Sequence, residues 1–180
     1  MLFVFLISVT SLILALSCLL IEIYIFENAP YLEGSNHQNP IKTSLTIIIP
    51  TYNEEVNIKN WLNSLDKIKR PSEIFNILIV DDSSEDRTFL EVTNFQTKKF
   101  NYFQELKIIP AGPRPKDKNW VGKNWACYKG SENINTEWIL FIDADVVVSE
   151  DCIHNALSKA YQDDIDLLSL APKVNCNCLA

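Results

Sequence analysis

From Ser44 onward the chain repeats one pattern: a short apolar, β-branched run about every 30 residues. The runs begin near Leu45 (LTIII), Ile74 (IFNILIV), Glu105 (ELKII), Glu137 (EWILFI) and Ile165 (IDLLSL), with spacings of 29, 31, 32 and 28 residues. One strand plus its crossover helix occupies about 30 residues. Runs this continuously apolar are buried on both faces, as strands of parallel sheets are. The rhythm therefore predicts five strands alternating with helices: an α/β, Rossmann-like parallel sheet with helices on both faces.

The intervening segments support this. Ile58, Trp61, Leu62, Leu65 and Ile68 fall at helical spacing, as do Ile153, Ala156, Leu157, Ala160 and Tyr161, for which Ser149 is the expected N-cap. The stretch EDRTFLEVTNFQ after Ser84 is a weaker helix. After Gly122, Ala126 and Gly130 put small residues on one side of a segment that can pack closely on the sheet.

A second feature precedes the rhythm. Leu2 to Ile21 holds no charged residue, and about 20 helical residues span the roughly 30 Å hydrocarbon core of a bilayer. Glu22 and Glu27 end the apolar stretch, and Tyr24 sits where interfacial aromatics sit. No Lys or Arg precedes the run and no A-x-A-like site follows it, which argues for an uncleaved single-pass anchor over residues 1–26 rather than a signal peptide. Residues 27–43, rich in Pro, Asn and Gly, read as a linker.

Composition removes several function classes. The 180 residues are 47% hydrophobic and 22% charged, with net charge −7. A nucleic-acid binder would carry a basic excess, so nucleic acid is not an expected partner. Four glycines (Gly34, Gly112, Gly122, Gly130) are too scattered for G-x-G-x-x-G, and no phosphate loop, H-E-x-x-H or G-x-S-x-G is present. Cys18, Cys127, Cys152, Cys176 and Cys178 contain no C-x-x-C and read as reduced thiols of a cytosol-facing protein. His154 reads as a surface residue.

Ligands of open parallel sheets bind beyond the carboxyl ends of the strands, and polar residues follow each of the first four runs. These are Pro50-Thr51-Tyr52-Asn53-Glu54-Glu55, then Asp81-Asp82-Ser83-Ser84, then a loop from Ala111 into Gly122-Lys123-Asn124, then Asp143-Ala144-Asp145. In D-x-D at a strand end both carboxylates can approach one point, where they serve either as hard ligands of Mg²⁺ or Mn²⁺ or as ordinary loop acids. Asp81 is placed to accept hydrogen bonds from a base or ribose, and Ser84 to cap the next helix. Lys123 stands at a helix start, where the dipole does not favour a cation; an anionic diphosphate is one reason for it. Arg114, Lys116 and Lys118 read as a solvated charge run. Trp125 reads as core and Trp120 as a wall of a sugar or base pocket.

Together the motifs I-I-I-P-T-Y-N-E-E, I-V-D-D-S-S, G-K-N-W-A-C-Y-K-G and F-I-D-A-D-V resemble those of family-2 inverting glycosyltransferases of GT-A fold. N-W-V-G-K-N-W-A and D-L-L-S-L-A-P are most similar to the membrane subgroup associated with hopanoid and carotenoid glycosylation. The resemblance implies that residues 44–180 form the nucleotide-sugar-binding part of such a domain. It places Pro50, Tyr52 and Glu54 around the nucleotide, Asp81 on the base or ribose, Lys123 and Asp143 near the diphosphate, and Asp143 and Asp145 on a divalent metal. It implies a UDP-sugar donor, a lipid or isoprenoid acceptor, and a cytoplasmic domain on a membrane. It also implies a general base on the acceptor side, expected beyond Ala180, so the chain reads as truncated and, by itself, inactive. The rival readings are a non-catalytic, membrane-anchored nucleotide-sugar-binding module and a sugar-nucleotide pyrophosphorylase. The second is disfavoured because no Gly-rich phosphate loop lies within Leu45–Asn53.

Overall fold

The computed structural model describes residues 2–28, 32, 39–96 and 103–171, in two units, Met1–Glu33 and Gly34–Ala180. Most of the expected linker and the Cys176/Cys178 pair lie outside the described residues.

The first unit is one helix, α1 (Leu2–Asn28), seven residues longer than its uncharged stretch. Glutamate is a good helix former, so Glu22 and Glu27 end the apolar run without ending the helix. The span Phe3–Ile25 has a mean hydropathy of 2.7 and is long and apolar enough to cross a membrane. Its serine and threonine hydroxyls need no outside partner: Ser8, Thr10, Ser11 and Ser17 donate to the carbonyls three residues back at 2.8–3.1 Å.

The second unit is the strand–helix alternation the rhythm predicts. In chain order it holds β1 (Ile41–Thr51), α2 (Glu55–Ser64), β2 (Ser72–Asp81), α3 (Thr88–Gln96), β3 (Glu105–Pro110), α4 (Gly122–Ser131), β4 (Trp138–Phe141) and α5 (Cys152–Gln162). All pairings are parallel, in the order β3-β2-β1-β4. Side-chain alternation divides the core in two. Leu45, Ile47 and Ile49 of β1 and Phe75, Ile77 and Ile79 of β2 face α2, α3 and α5. Ile48 and Val80 face α4 through Trp125 and Ala126. Gly130 explains how close α4 comes: a Cβ there would lie 2.7 Å from Ile48 Cγ2 and 2.9 Å from Val80 Cγ2.

Four local expectations are corrected. Ile165–Ala171 form no strand; Leu167 is 88% exposed and the segment pairs with no neighbour among the described residues. The chain instead leaves α5 through a left-handed turn at Asp164 (φ 51°), with the Ile165 N–H donating to the Ala160 carbonyl at 3.0 Å. α5 starts after Asp151, not Ser149, whose carbonyl accepts from the Cys152 N–H. Ser84 does not cap α3; Asp86 does, accepting from the Thr88 N–H and hydroxyl. His154 is buried at 5% exposure, with its ring nitrogen 3.1 Å from the Asn39 carbonyl oxygen.

Candidate functional site

The ends of three strands are level. Thr51 is paired with Asp81 and Asp81 with Pro110, and two further bonds, Asp82 N–H to Thr51 O and Ala111 N–H to Asp81 O, carry the register past the strands. β4 joins them because Ile48 is level with Phe141 and the Ile142 N–H donates to the Ile48 carbonyl. Side chains that follow these strands therefore emerge on one rim.

The rim is tightly braced. Asn53 (φ 55°) and Ser83 (φ 68°) turn the chain through the left-handed region directly after β1 and β2. Non-glycine residues adopt that region at a cost of about 1–3 kcal/mol, and such costs concentrate at functional sites. Cross-bonds hold the two turns together: Asn53 N–H to Ser84 Oγ, Glu85 N–H to Asn53 Oδ1, and Glu54 N–H to Thr88 Oγ1, all 2.8–2.9 Å.

Between this rim and the start of α4 lies a cleft of about 310 Å³. It is lined by Pro50, Thr51, Tyr52, Glu54, Asp82, Lys123, Ala126, Asp143, Ala144 and Asp145. Six of the seven residues singled out from sequence meet here. The seventh, Asp81, is 6% exposed and sits behind the lining, accepting from the Ser84 N–H at 3.1 Å, the Ser84 hydroxyl at 2.5 Å and the Thr51 hydroxyl at 3.4 Å. Its neighbour Asp82 reaches the cleft. Strand parity is the signal: Asp81 continues the Ile77–Ile79 face toward α2 and α3, and Asp82 the Val80 face toward α4.

Asp82 is buried and paired with the half-exposed guanidinium of Arg114. Arg114 is thus not part of a solvated run. Gly122 makes room for the pair, since a Cβ there would lie 2.5 Å from Asp82 Oδ2 and 2.8 Å from Arg114 Nη2. Trp125 is core, its indole N–H donating to the Gly112 carbonyl at 2.9 Å. Trp120 packs in tilted ring contacts against Trp125 and Tyr128, with centroids 5.5 and 5.1 Å away, and is not among the cleft-lining residues.

Two charged features face each other across the cleft. α4 begins at Val121 with no side-chain cap, so its first amides are available to an anion. Lys123, in that first turn, places its Nζ 2.7 Å from both oxygens of Asp143. The Asp143 carboxylate holds the Lys123 pKa above the ordinary lysine value, against a smaller opposing effect of burial, so the ammonium is cationic at neutral pH. Burial pushes the Cys127 thiol up, one helical turn further on. Asp143 and Asp145 flank buried Ala144 in a turn closed by the Val146 N–H to Asp143 O bond, and Asp145 is exposed. Among the described residues no third His, Cys, Asp or Glu joins them.

The model of the family described as "Glycosyl transferase family 2" matches residues 46–176. The chain is 28% identical over 157 residues to the 4,4'-diaponeurosporenoate glycosyltransferase of Staphylococcus haemolyticus, covering 85% of this chain and 39% of that protein. It is 30% identical over 129 residues to the poly(ribitol-phosphate) beta-N-acetylglucosaminyltransferase TarS of Staphylococcus aureus, covering 71% of this chain and 21% of that protein. The chain thus spans well under half the length of either relative. Among solved structures, the mannosyltransferase PcManGT from Pyrobaculum calidifontis, in complex with GDP-Man and Mn2+, is similar with a TM-score of 0.52 at 20% identity, over 77% of this chain and 39% of that one. That likeness establishes the fold.

Proposed function

The chain belongs to glycosyl transferase family 2, and we propose that its rim cleft holds the nucleotide and diphosphate of a UDP-sugar donor. The sugar passes to a lipid or isoprenoid-type acceptor with inversion at the anomeric carbon. The observation that carries this reading is the opposition of charges in one cleft: Lys123 and the uncapped start of α4 against Asp143 and Asp145. Amides and an ammonium suit phosphate oxygens, and paired carboxylates suit a cation; a metal–diphosphate satisfies both.

Asp143 and Asp145 fit Mg²⁺ or Mn²⁺, being hard oxygen donors at a braced strand end. Two carboxylates leave several of the roughly six positions of such an ion to diphosphate oxygens and water. Bound there, the ion supplies Lewis-acid stabilisation of the leaving diphosphate. The protein's own part is to hold the donor. Pro50 and Tyr52 offer an apolar wall to the base, Glu54 and Asp82 offer acceptors to the ribose, and Lys123 neutralises phosphate charge. Asp81 orders the rim from behind through Thr51 and Ser84, supporting base or ribose binding indirectly. The diaponeurosporenoate named for one relative supports an isoprenoid acceptor. The apolar span Phe3–Ile25 supports a single-pass anchor, and the need for nucleotide sugars, which are made in the cytoplasm, supports a domain on that side.

A photoreactive 5-azido-UDP-sugar tests the reading. The expected result is photolabelling of a peptide containing Pro50–Glu54 or Asp81–Ser84, suppressed by UDP and weakly by GDP, and, with a second donor radiolabelled in its sugar, transfer of that label to solvent-extractable lipid by the membrane-bound enzyme. Photolabelling outside the cleft refutes the donor site, and sugar label passed to a water-soluble glycan or to another protein refutes the lipid acceptor.

A further inference from the structure

Lys123 does more in this geometry than mark the diphosphate end of the cleft. Its ammonium sits astride Asp143, 2.7 Å from each carboxylate oxygen. That is the seat a hard cation shared by Asp143 and Asp145 has to use. With Lys123 in place, the three groups carry a net charge of −1; with it withdrawn, Asp143 and Asp145 present −2.

We propose that Lys123 competes with the divalent cation for Asp143, so that the ammonium must move to the donor's phosphates before both carboxylates are free. This rests on the donor-site reading and adds a coupling to it: nucleotide and cation bind in concert because one lysine serves both.

Three observations support the exchange. The pair is open to water, with side chains 57% and 47% exposed, and exposed ion pairs are weak enough to exchange readily. The lysine stands in the first turn of α4, where the helix dipole opposes a cation and the amides attract an anion, so a bound phosphate gives it a second partner within reach. Asp145 follows in the same turn as Asp143 and lines the same cleft as Lys123, so the ammonium and a cation contend for the same pair of carboxylates.

Titration of Mn²⁺ alone, UDP alone, and each in the presence of the other tests this, with free Mn²⁺ read by electron paramagnetic resonance and UDP by calorimetry. Lys123→Gln removes the competitor and keeps a helix-compatible side chain. Lys129→Gln, whose lysine pairs with Glu132 on the same helix and is not among the cleft-lining residues, removes the same net charge. In Lys123→Gln, Mn²⁺ alone binds about two- to fivefold tighter than in the wild type, the factor an exposed ion pair supplies. UDP alone binds more weakly, and the factor by which each ligand tightens the other falls correspondingly, as reciprocity requires. Lys129→Gln behaves as wild type. Unchanged or weaker Mn²⁺ binding in Lys123→Gln, with wild-type cooperativity, overturns the exchange and leaves the donor site standing. Failure of the wild type to bind UDP with or without Mn²⁺ overturns both.

Discussion

Arg114→Ala measures how firmly the loop before α4 is tied to the sheet. The substitution strands the Asp82 carboxylate, whose side chain is 9% exposed, without its guanidinium partner. Breaking a fully buried pair costs about 3–5 kcal/mol, and an exposed pair is worth about 0–1 kcal/mol. Arg114 is 45% exposed, so the expected loss lies between, about 1–3 kcal/mol. Asp82→Asn on the Arg114→Ala background removes the stranded charge and recovers part of the loss, giving a double-mutant coupling of about 1–2 kcal/mol. Denaturant unfolding of the detergent-solubilised chain, followed by tryptophan emission, reads this cleanly. All four tryptophans (Trp61, Trp120, Trp125, Trp138) lie in the second unit, so α1 is silent. A loss under about 0.3 kcal/mol with additive single variants refutes the argument and returns Arg114 to a solvated loop cation.

Three further outcomes follow from the same structure. Gly130→Ala forces a methyl against Ile48 and Val80, both fully buried; overpacking costs about 1–3 kcal/mol and helix propensity returns about 1 kcal/mol, so the unfolding midpoint falls or at best stays level, and a clear rise contradicts the packing described. Glu137 accepts from the Tyr161 and Thr43 hydroxyls, which hold its carboxyl below the usual range. A lowered folded value stabilises above the ordinary glutamate range and is lost as pH falls through it, so Tyr161→Phe flattens the acid side of the stability profile; superimposable acid titrations would count against the latch. Membranes carrying the chain retain it through carbonate extraction, and deleting residues 1–33 releases it; release of the intact chain removes the anchor from the account.

The alternation of β1 to β4 with helices was legible because apolar runs recur about every 30 residues. β1 and β2 are buried on both faces and carry the most continuous runs, whereas β3 and β4 hold no fully buried residue and their shorter runs do not reflect two-sided burial. Ile165–Leu170 has a similar composition but pairs with no strand among the described residues, and a ladder, not hydropathy, makes a strand. The cleft was legible because strand ends share one rim, so Pro50, Tyr52, Glu54, Lys123, Asp143 and Asp145 converge from three segments. The choice between Asp81 and Asp82 needed the parity of β2 relative to α4, which depends on which face each helix covers. Arg114 and His154 were invisible for a related reason: their partners, Asp82 and Asn39, lie 32 and 115 residues away in sequence.

In the proposed donor site, Asp143 and Asp145 bind a divalent cation together with a nucleotide diphosphate. Calorimetric titration of UDP, with and without Mn²⁺, on the wild type, Asp145→Asn and Asp151→Asn tests it most directly. Asp151, the residue before α5, is paired with Lys69 at 2.7 Å and is not among the cleft-lining residues. The account predicts that Mn²⁺ tightens UDP binding in the wild type and in Asp151→Asn, and that Asp145→Asn loses that gain while its unfolding midpoint barely moves. Equal UDP affinity in all three proteins, indifferent to Mn²⁺, would contradict it and leave Asp143 and Asp145 as ordinary loop acids.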